Sequence, residues 1–212
     1  RLLALTYGTE GDPRPLVMLC HGLRQAGHEV MLLAEQGTLG SARELGVPHA
    51  ALEGDIHDEV VALVARGNNL AAASRGLARM AGRHVPAWMA QADAAAAGCD
   101  AVLTGGLAAL VGLSVAERHG LPAIGTGMIP LTPTRAFASP FLPPLPLPGV
   151  LRRASYGQGK QAVWRTFRTP FHAARAALGQ RPRRSLRTGF SRLCGISSQP
   201  LPPPSCWPDD HL

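Results

Sequence analysis

Metal-binding and redox patterns are missing from this sequence. Its four cysteines form no C-x-x-C pair, and no cluster of cysteine and histidine has the spacing of a zinc site. We therefore expect no metal ion. Cys20 and Cys99 stand in apolar surroundings and are predicted to be small core residues. Thiols used in this way indicate a reducing, cytoplasmic compartment.

The motifs of two nucleotide-binding sites are missing as well. The first glycine loop has only G-x-x-G, at Gly8 and Gly11, and lacks the G-x-G-x-x-G spacing of a dinucleotide site. It also lacks the G-K-[ST] ending of a phosphate-binding loop. Its acid pair, Glu10 and Asp12, would repel a pyrophosphate. The sequence therefore argues against a nicotinamide cofactor and against an ATP site, and we expect no cofactor.

A hydrophobic run long enough for a membrane span is lacking too. The central uncharged run, residues 101–116, has 16 residues, whereas a membrane helix needs roughly 20. Its Gly105-Gly106 pair predicts a strand, a turn and a helix instead. The pattern of a signal peptide is not found. The chain begins at Arg1 without a methionine, so we expect a piece of a longer protein.

Acidic residues are absent from one long segment. Residues 152–192 hold 11 of the 21 Lys and Arg residues and none of the 14 Asp and Glu residues. This basic segment suits either a contact with anionic membrane lipid, at the inner membrane face, or a solvated arginine surface. Aromatic residues make up only 5% of the chain, and no nucleic-acid-binding motif is present. We therefore expect no nucleic-acid partner.

Hydrophobic residues make up 46% of the chain, and their order predicts the fold. Apolar runs typical of buried strands stand at residues 1–6, 29–34, 49–52, 101–104, 122–125 and 191–196. Helical patterns lie between them at residues 13–26, 38–45, 59–97, 107–119 and 163–178, with breaks expected near residues 67–68, at Gly82 and at Val85-Pro86. This alternation predicts the α/β class with a Rossmann-like, doubly wound parallel sheet.

Three loops meet at the carboxyl ends of the predicted strands, where open parallel sheets bind their ligands. They are residues 8–13, the Gly105-Gly106 turn and the proline-rich residues 126–149. Loops on a rigid scaffold carry specificity, so we expect a binding site here. The Gly105-Gly106 pair also has a purely structural interpretation as a tight turn.

The first loop places Asp12 beside two glycines. A carboxylate on such a loop suits proton abstraction from a neutral ligand. Asp12 also precedes Pro13, so it is equally suited to cap the helix that begins there, and the two roles are compatible. The positive end of that helix would favour an ionised carboxylate. Glu10 is predicted to be a solvated loop residue.

The opening "LTYGTEGDPRPLVMLCHGLRQAGHEVMLLA" resembles that of GT-B glycosyltransferases of the sterol, macrolide and glycopeptide type, which have a G-T-R-G-D-V-x-P loop and a helix ending in G-L-x-x-A-G-H-x-V. The matching positions are Gly8, Thr9, Gly11, Asp12, Pro15, Gly22, Leu23, Ala26, Gly27, His28 and Val30. "LTGGLAALVGLSVAERHGLPAIGTGMIPLTPT" is similar to a middle section of the family, and "FSRLCGISSQPLPPPSCWPDDHL" to its end-of-domain segment. Glu10, Pro13 and Arg14 depart from the family pattern.

The resemblance implies that residues 1–212 are the N-terminal, acceptor-binding half of a two-domain GT-B fold, inactive alone because the donor-binding C-terminal domain is missing. Asp12 would be the base that deprotonates the acceptor. The other acceptor-binding residues would be Gly8, Thr9, Gly11, Gly105, Gly106, Thr126, Met128 and Phe137. The implied reaction is an inverting transfer of a hexose. The donor would be UDP-glucose or a similar nucleotide sugar, and the acceptor would be the hydroxyl of a sterol, lipid or polyketide. The alternative is a non-catalytic Rossmann-like module for ligand binding or protein interaction.

Overall fold

Six parallel strands form one sheet in the order β3-β2-β1-β4-β5-β6. The computed structural model describes residues 1–8, 11–54, 70–127, 129–140, 142, 146–185, 191–195 and 204. The strands are β1 Leu2–Leu5, β2 Val30–Glu35, β3 His49–Leu52, β4 Ala101–Gly105, β5 Ala123–Gly127 and β6 Ser191–Cys194. This strand order confirms the Rossmann-like doubly wound sheet. The order reverses between β1 and β4, where such sheets form their ligand crevice.

In the described ranges, five helices cover the two faces of the sheet. They are α1 Pro13–Gln25, α2 Gly40–Glu44, α3 Leu70–Ala96, α4 Ala109–His119 and α5 Gly149–Ala177, with short 3-10 turns at Gln36–Thr38 and Gly106–Ala108. The predicted strands all occur within a few residues of their expected positions. The helix α4 ends as predicted at Gly120, which adopts a left-handed φ of 65°.

The strands are apolar throughout because both of their faces are buried. Leu3 and Leu5 of β1 are fully buried on the face covered by α3, α4 and α5. Ala4, between them, is buried on the opposite face with residues of α1 and α2. Cys20 belongs to that second cluster, and burial raises the pKa of its thiol to about 12. Cys99 is also buried, so the expectation that both are core residues is confirmed.

The breaks predicted at Gly82 and at Val85-Pro86 do not occur in the long helix α3. It continues through Gly82 and through Pro86, a residue that removes a backbone hydrogen bond and normally ends a helix. Both residues face solvent, so neither disturbs the buried face. Trp88 and Met89 lie on that face and are almost fully buried. Their burial stabilises the helix more than glycine and proline propensities weaken it. The expected break near residues 67–68 lies outside the described residues.

The C-terminal end of α5 is joined to α4 by a buried arginine. The side chain of Arg175 donates to Ser114 Oγ and to Glu117 Oε2, each at 2.9 Å, and to the Arg181 carbonyl oxygen. Arg183 donates to the same carboxylate. Arg175 is only 2% exposed. Residues 152–192 were expected to form either a lipid contact or a solvated arginine surface, and neither interpretation fits Arg175, which is buried and joins two helices.

None of the helices in the described part of the chain is both long and apolar enough to cross a membrane.

Candidate active site

The first loop and the β4–α4 turn meet at the point where the strand order reverses. Gly8 and Asp12 follow β1, and Gly106 follows β4, its neighbour in the sheet. A Cβ atom placed on Gly106 would lie 3.3 Å from Asp12 Oδ2 and 2.9 Å from the Tyr7 carbonyl oxygen. The structure therefore brings Gly8, Asp12 and Gly106 together, as the sequence predicted for residues of one site.

Glycine is required on both sides of the Asp12 carboxylate. A Cβ atom on Gly8 would collide with Asp12 Oδ2. Gly106 has a left-handed φ of 56°, which glycine adopts without steric cost. A side chain at Gly8 would displace the carboxylate, and one at Gly106 would press on the Tyr7 carbonyl oxygen and strain the left-handed backbone. The two glycines thus shape a space for one carboxylate, and the turn interpretation of Gly105-Gly106 is incomplete.

Burial raises the pKa of Asp12 above its ordinary value. Asp12 stands at the N-cap position of α1, yet its side chain makes no capping hydrogen bond. The expectation that the helix terminus favours the ionised form is therefore outweighed, because the half-buried carboxylate loses hydration. A raised pKa makes the carboxylate a stronger base. The arrangement thus suits proton abstraction better than helix capping.

Thr126 lies on the other side of the β4–α4 turn. It is paired with Gly105 across β4 and β5, and a Cβ atom on Gly105 would lie 2.5 Å from Thr126 Oγ1. The absence of a side chain at Gly105 therefore lets the threonine hydroxyl approach the turn. Thr126 is half-buried beside the turn, and its predicted contact with a ligand stays a prediction.

Two aromatic residues behind the loop were not predicted to support the site. The Tyr7 side chain is fully buried, and its ring centroid lies 3.7 Å from that of Trp88 on α3. Trp88 Nε1 donates to the Glu53 carbonyl oxygen at 2.7 Å, beyond the end of β3. Trp88 is buried in the core, and the sequence contains no signal for its contact with the residue that precedes Gly8.

The remaining predicted positions stay predictions. Thr9 and Met128 lie outside the described residues. Gly11 is exposed, and no atom lies within 4 Å of a Cβ built on it. Phe137 is half-buried in the segment between β5 and α5. Within the described ranges, no three His, Cys, Asp or Glu side chains are grouped closely enough to hold a metal ion.

The half-buried Asp12 carboxylate thus lies at the switch point of a doubly wound parallel sheet, the place where sheets of this kind form their ligand crevice. No family model matches the chain. Curated proteins do match it. Glycosyltransferase GtfE of Amycolatopsis orientalis is 34% identical over 189 residues, which cover 86% of this chain and 44% of that protein. Vancomycin aglycone glucosyltransferase of the same organism is 28% identical over 210 residues, which cover 95% of this chain and 49% of that protein.

More distant relatives point in the same direction. Sterol 3-beta-glucosyltransferase of Kluyveromyces lactis is 29% identical over 143 residues, which cover 66% of this chain and 12% of that protein. Among solved structures, glycosyltransferase VinC in complex with dTDP has a TM-score of 0.61 at 16% identity, covering 92% of this chain and 49% of VinC. SsfS6, a glycosyltransferase of Streptomyces sp. SF2575, has a TM-score of 0.55 at 24% identity. The match covers 92% of this chain and 50% of SsfS6.

The chain is similar in sequence to glycosyltransferases and has the fold of the N-terminal half of a GT-B glycosyltransferase. It spans about half the length of the first curated relatives it matches. The relatives carry transferase names, so the alternative of a non-catalytic module is not favoured.

Proposed function

We propose that this chain is the acceptor-binding half of an inverting glycosyltransferase. The observation that carries the proposal is the Asp12 carboxylate, half-buried with a raised pKa between two glycines at the switch point of the sheet. A site of this kind leaves room for a neutral hydroxyl to approach a base. The names of the relatives supply the reaction class, which is sugar transfer.

The proposed reaction is a single displacement in which Asp12 receives a proton. The acceptor oxygen forms a bond to the anomeric carbon of the sugar from one side. The bond to the nucleotide diphosphate breaks on the opposite side, so the configuration inverts and the diphosphate leaves with the electron pair. The acceptor hydroxyl passes its proton to the Asp12 carboxylate as the new bond forms, and solvent then removes that proton.

We propose a hydrophobic alcohol as the acceptor, such as a sterol, a lipid or a polyketide. Two observations support this choice. The segment that follows β5 exposes Ile129 and Leu131, which are 45% and 38% accessible at the carboxyl edge of the sheet. Relatives are also named for an aglycone and for sterols. Apolar side chains beside a few polar groups are typical of a site for such a molecule.

We propose that the donor is a pyrimidine-nucleotide hexose, with UDP-glucose as the first candidate. The donor would be held mainly by a second domain, because the loops of this chain lack the phosphate-binding motifs. A thymidine nucleotide is the other donor class to test, since VinC was solved with dTDP and one relative is named dTDP-epi-vancosaminyltransferase.

The proline-rich loop provides the experiment. Residues 126–149 should be exchanged for those of a relative, in a protein that carries both halves. Because this loop follows β5 beside Thr126, we expect the preference among acceptors to change by about tenfold or more, while the preference among sugar donors stays within about twofold. Exchange of the exposed residues Arg43 and Glu44 on α2 is the control. If the acceptor profile stays the same, the acceptor pocket lies elsewhere.

A further inference from the structure

One face of α5 is exposed along most of the helix and has an unusual composition. Residues 150, 154, 157, 161, 165 and 168 follow helical spacing and are all exposed. We call this set the outer stripe; its members are Val150, Ala154, Gly157, Gln161, Arg165 and Arg168. It extends for about 27 Å at 1.5 Å per residue.

The outer stripe is cationic, and no acid in the described part of the chain pairs with its arginines. Arg165 and Arg168 are exposed on it, and Arg153 is exposed near its start. The whole helix and the residues after it, up to position 192, contain no Asp or Glu. By contrast, Arg175 and Arg183 of the same segment are neutralised by Glu117. The stripe therefore presents uncompensated positive charge that complements an anionic surface.

The start of the stripe is apolar and protrudes. Val150 is 68% exposed and Leu151 is 52% exposed, two of the most exposed large apolar side chains in the described part of the chain. Small residues, Ala154 and Gly157, follow them on the stripe and leave the surface flat. Exposed aliphatic tips beside arginines are what an interfacial helix inserts among lipid headgroups.

The apolar tip is held in place by the preceding segment. Arg152 donates to the carbonyl oxygens of Ala136 and Leu147, at 2.9 and 2.7 Å. The Ser139 backbone N–H donates to Ser155 Oγ at 2.8 Å. Val150 and Leu151 thus stand on an anchored first turn, and their exposure is a feature of the fold.

The apolar tip also lies towards the same edge of the sheet as Asp12, although α5 and α1 cover opposite faces. The C-terminal ends of α4 and α5 are adjacent, since Arg118 on α4 donates to the Leu178 carbonyl oxygen. The helix α4 runs from the carboxyl edge of the sheet towards the amino edge. The start of α5 therefore lies towards the carboxyl edge, where the Asp12 site opens.

We propose that the outer stripe of α5, with its apolar tip, docks on an anionic lipid surface. Arginines would contact the headgroups while Val150 and Leu151 insert between them. Vesicle binding is measured without donor or acceptor, so its outcome is separate from that of the proposed sugar transfer.

The test is flotation of the purified chain with phosphatidylcholine vesicles and with vesicles containing about one third phosphatidylglycerol. We expect the chain to float with the anionic vesicles only, and to be released as salt rises from about 0.1 M to about 1 M. Replacing both Arg165 and Arg168 by glutamine should lower the partition coefficient about 25-fold, at roughly fivefold for each arginine. V150S/L151S should lower it as well, without changing the salt dependence.

A matched control carries R24Q/R43Q in the last turns of α1 and α2, which cover the opposite face of the sheet and end away from its carboxyl edge. We expect this variant to bind vesicles as the parent chain does, and thermal melts should show that all variants remain folded. Three results would overturn the proposal: equal binding to neutral vesicles, equal loss of binding in the control variant, or binding of a single-stranded RNA through Arg165 and Arg168 with no binding to vesicles.

Discussion

Replacement of Asp12 by asparagine, in a protein that carries both halves, is expected to lower kcat by about 10²–10⁴-fold. Asparagine keeps the shape of the side chain between Gly8 and Gly106 but cannot accept the proton. The KM for the acceptor should change by less than about threefold, because the amide fills the same space. Steady-state kinetics with an unactivated alcohol acceptor measures both values. Glu44→Gln, at the exposed end of α2, is the control and should leave kcat unchanged.

The same Asp12→Asn variant should lose turnover but gain thermodynamic stability. A carboxyl group whose pKa is raised by folding destabilises the fold once pH rises above its ordinary value of 3.8. Asp12→Asn removes this cost, so the free energy of unfolding should rise at neutral pH and become less dependent on pH. If Asp12 served only as a helix cap, its truncation to alanine would instead lower the free energy of unfolding by about 1 kcal/mol. Near-full turnover of the asparagine variant would contradict the role of Asp12 as a base.

Removal of the buried guanidinium by Arg175→Met is expected to lower the free energy of unfolding by about 3 kcal/mol. The change deletes the donors to Ser114 and Glu117 and leaves the Arg181 carbonyl oxygen without its partner. Arg168→Met, on the exposed face of the same helix, is the matched control and should change stability by less than about 0.5 kcal/mol. Urea unfolding measures both variants. Equal stabilities would show that the Arg175 cluster is dispensable.

The same cluster predicts the response to acid. Burial acts to raise the pKa of Glu117, but hydrogen bonds and charges from Arg175 and Arg183 outweigh it, so the pKa lies below its ordinary value of 4.5. A carboxylate with a lowered pKa stabilises the fold above its ordinary value, and this contribution is lost as pH falls through the native pKa. Arg175→Met should therefore weaken the acid dependence of stability as well as the stability at neutral pH.

The order of elements could be predicted from the sequence because it depends on local patterns. Apolar runs marked the strands, and glycine marked the ends of α1, α2 and α4 at Gly27, Gly46 and Gly120. The meeting of Asp12 with Gly106 was also predictable. It follows from the rule that the carboxyl ends of parallel strands meet at one edge, once both loops had been assigned to that edge.

Contacts between distant elements could not be predicted in the same way. The contact between Tyr7 and Trp88 depends on how α3 packs on the sheet, and nothing near either residue specifies it. The continuity of α3 through Pro86 depends on the buried face that surrounds it, which a local propensity ignores. Arg175 looked like one arginine among 11 basic residues. Only the position of Glu117 on the neighbouring helix α4 shows why it is buried.

The most direct test of the central claim is a nuclear magnetic resonance titration of this 212-residue chain. Amide signals of Tyr7, Gly8 and Gly106 should be followed while a hydrophobic alcohol is added and, separately, while UDP-glucose or dTDP-glucose is added. The account predicts saturable shifts of these signals with the alcohol and none with the nucleotide sugars. Saturable shifts with a nucleotide sugar, with no response to any alcohol, would contradict the assignment of the Asp12 crevice to the acceptor.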